Sequence, residues 1–466
     1  MYSLVTGCQL NPAAHLVSHK EATNVQKYFS KYLFFYPVTF AKGEPIALLM
    51  SRYRSTQWIS GEGLRQYQLK KLSRIVSYAF RNSQFYRELY ANAGLAPRNI
   101  ESFDEFGKLP SISKSDLINS LDEMSGRKHK LFRASKTTGG STGQPVRLFK
   151  NPMALARERC ATARAYEWAG IDIGEPQLRF WGVPHSKSGK LKARLTDLAA
   201  NRKRVSAFDL TNDNLNRYYS EAISFRPGYL YGYVSVIEIF ANHIVANGLA
   251  PLPSLKAIIT TSEILSEQTR DFISKVFNVP VFNEYGCGEV GSIAHECEHG
   301  SMHVMSDNLY LEVDDDGTGS GEILVTDLFN YATPIIKYRL GDYATLADSE
   351  CICGRSFPVL ESIHGRAYDV LQLPCGRKVH PEAVIYVFEA IQSETNAFNQ
   401  FQVIQQDENR ILVKLIPNKN WNEEVHIKLL KDLRRDISSD IDFEVKIVDE
   451  IRREPSGKLR LVKCLL

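Results

Sequence analysis

Apolar residues recur at helical spacing through roughly the first hundred positions. In LRQYQLKKLSRIVSYAFRNSQFYRELYANAGL (64–95) they fall three and four apart, which predicts amphipathic helix ending at Gly94. SFDEFGKLPSISKSDLINSL (102–121) predicts short helices separated by turns. From about residue 132 the period changes. Short β-prone runs, QLRFWGV, PGYLYGY, LKAIITTSE and VPVFNEYG, alternate with helical ones such as VIEIFANHIVANGL and SEQTRDFISKVF. That alternation predicts α/β layers with parallel strands. Near residue 303 a third pattern begins. HVMSDNLYLEVDDDGTGSGEILVTDL predicts strand, acidic turn, strand, and PIIKYRLGDYATL continues the β character. The strands NQFQVIQ and ILVKLI and the helix NEEVHIKLLKDLRRDI predict a compact α+β unit at the end. The expected organisation is a large domain over 1–366, with a helical extension over about 1–130, and a small domain over 367–466.

Composition narrows the classes of function. The chain has 466 residues, 44% hydrophobic and 24% charged, which are ordinary globular values. A formal charge of +4 is too small for a dedicated nucleic-acid binder. Basic residues gather in LKARLTDLAANRKR (191–204), read as a solvated helix face. YLFFYPVTF is apolar but too short to span a membrane, and the first twenty residues lack the pattern of a signal peptide. Eight cysteines without a secretion signal predict a reducing, cytoplasmic setting and free thiols.

One stretch cannot be core. Thr137 to Pro145 consists almost wholly of Gly, Ser and Thr, followed at once by the β-prone VRLF. Such a run is either a linker or an anion cradle, where glycines let backbone N–H groups converge and hydroxyls add donors. It lacks the Gly-Lys-Ser/Thr ending of a Walker loop.

Further motifs follow in order: TTSE (260–263), NEYGCGE (283–289), YRLGD (338–342), GRAYD (365–369) and REPSGKLR (453–460). This succession resembles the adenylate-forming (ANL-type) enzymes, and within them the phenylacetate–coenzyme A ligase branch with its capsular-polysaccharide relatives. The resemblance runs from about residue 70 to the C-terminus. It implies layered sheets and helices with a β-barrel-like subdomain, and a small mobile C-terminal lid. It also implies ATP, Mg²⁺ and the chemistry of an acyl-adenylate, in which positioning and charge stabilisation carry catalysis.

The resemblance assigns roles. Thr137, Thr138, Gly139, Gly140, Ser141, Thr142 and Gly143 fold over the ATP phosphates, with Val146 standing where the family usually has lysine. Tyr285 and Gly286 meet adenine, Glu289 holds Mg²⁺, and Asp342 accepts from the ribose hydroxyls beside Arg366. Ser262 and Glu263 lie at a strand end on the ligand side. Lys458 is the mobile lysine that reaches the α-phosphate. The hinge two residues after Arg366 is Tyr368, where the family commonly has Asp or Lys.

A second constellation is independent of ATP. HECEHGSMH holds Cys297, His299 and His303, and CICGR holds Cys351 and Cys353. Two thiolates one residue apart before a glycine suit a tight metal-gripping turn. Cys297, His303, Cys351 and Cys353 are the expected structural zinc ligands, with His299 and His295 as competitors.

The resulting expectation is an ATP-dependent acid ligase. It takes a small carboxylic or amino acid and passes the acyl group to coenzyme A by default. Alternatives are an amide- or ester-forming ligase acting on an amino acid, amino sugar or polysaccharide precursor, and an inactive nucleotide-binding module. A homodimer is left open.

Overall fold

The structure, a computed structural model, describes residues 26–125, 133–138, 146–182, 187–207, 210–315, 320–366, 371–374, 378–379, 381–452 and 461–466. Serine caps write much of the helical N-terminal part. Ser60, Ser83, Ser102 and Ser113 each accept from the first turn of a helix, and Ser113 and Asp116 form a capping box. The single helix expected over 64–95 is two, Gly61–Asn82 and Gln84–Asn92. Ser83 adopts extended backbone between them and caps the second, so its side chain wins over the apolar periodicity.

Strands β1 (Ala134–Thr138) and β2 (Val146–Lys150) form an antiparallel hairpin. The main sheet follows: β3 (Gln177–Trp181), β4 (Arg202–Ser206), β5 (Tyr229–Tyr233), β6 (Ala257–Thr261), β7 (Val281–Cys287), β8 (Gly291–Glu296), β9 (Met302–Val304), β10 (Leu309–Asp315), β11 (Gly321–Asp327), β12 (Tyr338–Leu346) and β13 (Val359–Arg366). They make one eleven-stranded sheet in the order β10-β11-β12-β13-β9-β8-β7-β6-β5-β3-β4. The run β4-β3-β5-β6-β7 is parallel, with helices in the crossovers. β5 and β6 are buried at every position, as parallel strands covered on both faces must be. From β7 to β10 every pairing is antiparallel. The chain order reverses direction between β3 and β5, which makes the carboxyl ends of these strands the expected ligand crevice.

The basic run 191–204 is not one helix face. A helix ends at Ala199, Asn201 turns at positive φ, and RKRVS is the edge strand β4. Its arginines fold back on Asp197: Arg204 donates to both carboxylate oxygens at 3.0 Å, and Arg202 lies 3.5 Å away. Charge on an edge strand discourages further pairing.

The C-terminal strands β14 (Leu371–Gln372), β15 (Lys378–Val379), β16 (Phe398–Asp407), β17 (Arg410–Pro417), β18 (Asp442–Ile447) and β19 (Val462–Cys464) follow. The last four form a mixed sheet β18-β17-β16-β19. Helices Pro381–Thr395 and Glu423–Asp436 pack with it around a core of its own that includes Phe388, Val403, Val413 and Leu429.

Candidate active site

Two side chains far apart in sequence, on strands that three others separate in the main sheet, meet. The Tyr285 hydroxyl of β7 donates to Asp342 Oδ2 of β12 at 2.6 Å. Asp342 is buried and sits opposite Arg366 of β13 in the strand register. The backbone carries this juxtaposition. At Gly286 the β7–β8 register shifts, and a Cβ there would stand 2.6 Å from the Gly291 carbonyl oxygen. Glycine therefore permits the bulge that follows Tyr285. Glu289 occupies the turn beyond it, beside Cys287, whose thiol is pushed up by burial and by the Glu289 charge.

The β1–β2 hairpin is held over this region by a charge network. Lys150 is 1% exposed; its ammonium lies 2.7 Å from Glu158 and 3.6 Å from Asp327. Lys136, just before the Gly-rich stretch, reaches the other Glu158 oxygen at 2.9 Å. Burial raises the Glu158 carboxyl, but the Lys150 and Lys136 charges overcome it and bring it down to about 2. Gly291 lies against this carboxylate: a Cβ there would stand 2.3 Å from Glu158 Cδ. One acid thus ties the hairpin to the turn that carries Glu289. The hairpin is fastened further where Thr333 accepts from the Phe149 N–H at 3.2 Å and Asn330 donates to the Phe149 carbonyl at 3.0 Å.

The network has a pH signature. Glu158 titrates below the ordinary carboxylate value in the folded chain, so its contribution is complete above about 4.5 and is lost as pH falls toward about 2. Glu158→Gln leaves the buried Lys150 with Asp327 alone, at 3.6 Å, and is expected to cost about 3 kcal/mol at neutral pH. Urea unfolding of both proteins at pH 7 and pH 3 checks this: the gap should narrow at the lower pH, and equal stability at pH 7 would refute the role.

The structure places the other expected residues as follows. Gly139, Gly140, Ser141, Thr142, Gly143, Tyr368 and Lys458 lie outside the described residues. Thr137 and Thr138 are described through their backbone, which pairs with Arg147 and Val146. The Gly-rich stretch therefore joins two paired residues, Thr138 and Val146. Ser262 has φ +69 at the end of β6, strained for a side chain other than glycine. Glu263 is engaged within the protein: it accepts from the Ser235 N–H at 2.7 Å and the Ser235 hydroxyl at 3.0 Å, at the start of helix Val234–Ala246. That makes it a helix-terminus anchor, which its place at a strand end did not foretell.

The opposite face of the same strands carries a second group of polar and aromatic side chains, around the Tyr231–Glu238 and NEYG stretches where the sequence suggests the acid pocket. Glu284, one residue before Tyr285, points to the other side of β7 and is buried. It accepts from the Tyr166 hydroxyl at 2.8 Å and from Ser292 at 3.2 Å, and burial raises its carboxyl. Arg179 lies 4.5 Å from the rings of both Trp181 and Tyr231, and Trp181 stacks on Tyr233 at 4.7 Å. The alternation in QLRFW and YLYGY was the available signal: it sets Arg179, Trp181, Tyr231 and Tyr233 on one face.

The cysteine motifs converge. Cys297 follows β8, His303 lies in β9, and Cys351 and Cys353 sit in the turn before β13. Their ligand atoms all lie within 4.8 Å of one another. Cys297 Sγ and Cys351 Sγ are 3.8 Å apart, and Cys353 Sγ and His303 Nε2 are 3.2 Å apart. A tetrahedral site with zinc–sulfur bonds of about 2.3 Å has sulfurs about 3.8 Å apart, so the donor set fits zinc. His303 Nδ1 is held by the Phe357 carbonyl at 2.9 Å, which turns Nε2 to the thiols. Gly300 and Gly354, both at positive φ, close the two turns. His299 contributes only its backbone N–H, to Cys297 Sγ at 3.4 Å. His295 packs edge-on to Tyr166 instead.

The fold is shared with adenylate-forming ligases of known structure. It aligns with 2-hydroxyisobutyryl-CoA ligase in its postadenylation state with 2-HIB-AMP at a TM-score of 0.71 and 19% identity, covering 88% of this chain and 91% of that one. The thioesterification state of the same ligase, over the same shares, gives 0.60. In sequence the chain is similar to phenylacetate–CoA ligases and to CapK. Protein CapK of Staphylococcus aureus is 26% identical over 403 residues, covering 85% of this chain and 88% of the relative. The phenylacetate-coenzyme A ligase of Thermus thermophilus is 26% identical over 347 residues, 71% of this chain and 76% of the relative. Residues 371–464 match the family model of the CapK C-terminal domain.

Proposed function

We propose that this chain is an ATP-dependent acid ligase that forms an acyl-adenylate and then transfers the acyl group. The observation that carries the reading is the Tyr285–Asp342 hydrogen bond, with Arg366 opposite Asp342 in the register. It joins motifs 57 residues apart into one polar group. A buried carboxylate beside an aromatic ring suits a nucleoside, accepting from ribose hydroxyls while the ring covers the base. Mg²⁺ favours few carboxylates plus phosphate oxygens, and Glu289 supplies such a carboxylate in the turn beside the hairpin. Thr137 to Gly143 would hold the phosphates. The acid substrate would lie at the carboxyl ends of β5–β7, where the structure gathers Tyr231, Tyr233 and Trp181.

Coenzyme A is the acceptor we assign by default, since several relatives carry that activity in their names. The longer match to CapK keeps an amine or sugar acceptor as the second reading. Pyrophosphate exchange across a panel of carboxylic and amino acids tests the first half-reaction. Thiol and amine acceptors offered to the best acid then separate the two readings. Absence of exchange with every acid, in protein that binds ATP, would leave the inactive nucleotide-binding module.

We also propose zinc at Cys297, His303, Cys351 and Cys353 as a closed structural site away from the reacting atoms.

The nucleotide reading makes its own prediction. Asp342→Ala is expected to weaken ATP binding at least about tenfold, because hydrogen bonds to a charged group are worth about 1.5–3 kcal/mol. Tyr285→Phe keeps the ring and releases the carboxylate, so its loss should be smaller. Calorimetric titration with ATP and Mg²⁺ decides; an unchanged Kd in Asp342→Ala would remove this carboxylate from the nucleotide site.

A further inference from the structure

The first described segment is amphipathic the wrong way round. From Gln26 to Gly43 the chain is helical almost throughout, including a six-residue π-helical turn, Ser30–Phe35, followed by Tyr36–Ala41. Three of its polar residues, Ser30, Lys31 and Thr39, face the protein and are buried. Lys31 donates to both Asp172 oxygens at 2.8 and 2.9 Å, and Lys27 lies 3.4 Å from Glu175. Phe35 and Tyr36 pack against the core, but most of its other apolar residues face outward. Phe29 is 53% exposed, Tyr32 55%, Leu33 58% and Phe40 64%. A surface helix ordinarily does the reverse.

A second helix continues the patch. Lys187–Ala199 packs against the Ser30–Phe35 segment. Leu191, Leu195 and Leu198, spaced as one helical stripe, are each more than 60% exposed. Two neighbouring helices therefore offer one apolar face, larger than the scattered single side chains normal on a monomer.

Charge identifies the occupant. No acid occurs between Gln26 and Gly43, and Glu44 just beyond is buried beside Arg159. The second helix has Lys187, Lys190, Lys192 and Arg194 against one acid, Asp197, which is buried and bound by Arg204. A two-fold dimer through this face would set two elements that are net basic in sequence, with Lys42 and Arg194 exposed, against each other. An anionic bilayer complements this face, and aromatic and leucine side chains beside lysine and arginine suit the headgroup boundary. Among the described residues no helix is long and apolar enough to cross a membrane, so the attachment is to the surface.

We propose that the Gln26–Phe40 and Lys187–Ala199 helices form a docking face for an anionic phospholipid bilayer. It would hold the chain against the membrane with Phe29, Tyr32, Leu33, Phe40, Leu191 and Leu195 in the interface. This stands independently of the ligase reading.

The test is flotation of the full chain with phosphatidylcholine vesicles, with and without about a third phosphatidylglycerol. Two triple variants serve as controls: Phe29→Ser with Leu33→Ser and Phe40→Ser, and Leu191→Ser with Leu195→Ser and Leu198→Ser. These side chains are exposed, so thermal unfolding should stay unchanged. The expected result is flotation with anionic vesicles that weakens at high salt and falls at least about tenfold in each triple variant. Flotation equal on neutral vesicles, absent altogether, or indifferent to both variants would overturn the proposal. So would a lipid-free dimer, seen by light scattering and abolished by the same variants, because the face would then belong to a second copy.

Discussion

Lys458→Ala is expected to slow adenylate formation by on the order of 100-fold or more, the scale of other lost contacts to developing charge. The motif that holds it, REPSGKLR, lies between β18 and β19, which sit at opposite edges of the small sheet, β18 on β17 and β19 on β16. The lysine thus belongs to the C-terminal domain, while Tyr285, Asp342 and Glu289 belong to the large one. A compact ammonium on a flexible stem can reach across such a boundary and meet the α-phosphate. On the proposed mechanism the small domain would close before chemistry, and its movement away would free the site for the acceptor. Two consequences follow. ATP binding should survive, because the nucleotide contacts proposed here lie on the large domain. Acyl transfer from preformed adenylate should fall much less than pyrophosphate exchange. Lys458→Arg keeps the charge but adds a planar fork, and should also be poor. Equal losses in both half-reactions would indicate a misfolded C-terminal domain. Exchange at the wild-type rate would strike Lys458 from the mechanism.

Much of this was legible in the sequence, for reasons that differ by element. Parallel strands announce themselves because both faces are buried, and PGYLYGY and LKAIITTSE became β5 and β6. The acidic hairpin became β10 and β11 in register from Leu309 opposite Asp327 to Asp315 opposite Gly321. Local competition was harder to read. Ser83 interrupts a continuous apolar stripe because a cap is decided by one hydroxyl, not by periodicity. β4 hid in a basic run because an edge strand can spend its side chains on charge. At the candidate site, the motifs named Tyr285 and Asp342 separately. That they share a 2.6 Å hydrogen bond depends on the order of strands between β7 and β12, which no local pattern carries. Glu158 was invisible for the same reason: its partners Lys136 and Lys150 come from β1 and β2, and the second carboxylate on Lys150, Asp327, comes from β11.

Metal removal is the second large effect expected, and it acts on stability. Cys297, His303, Cys351 and Cys353 approach from two turns that β9 and β13 bring side by side, with His303 opposite Val359 in the register. The cluster does more than close these turns. Arg355, next in the chain after Gly354, lies 4.6 Å from the Trp168 ring and 5.1 Å from that of Trp58, pairs with Glu298 at 2.8 Å and donates to Gln57 at 3.1 Å. Gln57 accepts in turn from the Trp168 indole at 2.8 Å. A metal at the four ligands would therefore clamp the N-terminal helices to the β8–β9 turn and to the long helix Pro152–Trp168 that carries Glu158. Zinc bound by folded but not by unfolded chain adds its binding energy to folding, which for structural sites is large. Purified protein prepared without chelator should carry about one zinc per chain. Cys351→Ser should lose it and lower the unfolding midpoint by about 5 °C or more, since 1 kcal/mol moves a domain of about 150–250 residues by roughly 2–4 °C, a larger one by less, and structural zinc is worth several times that. His303→Ala should behave alike, whereas His299→Ala, whose ring lies outside the ligand set, should keep both metal and stability. Nucleotide binding should survive in whatever fraction stays folded. Elemental analysis finding no zinc in fresh protein, or Cys351→Ser matching the wild type in both metal and midpoint, would leave the four side chains as free thiols and an imidazole packed in the core.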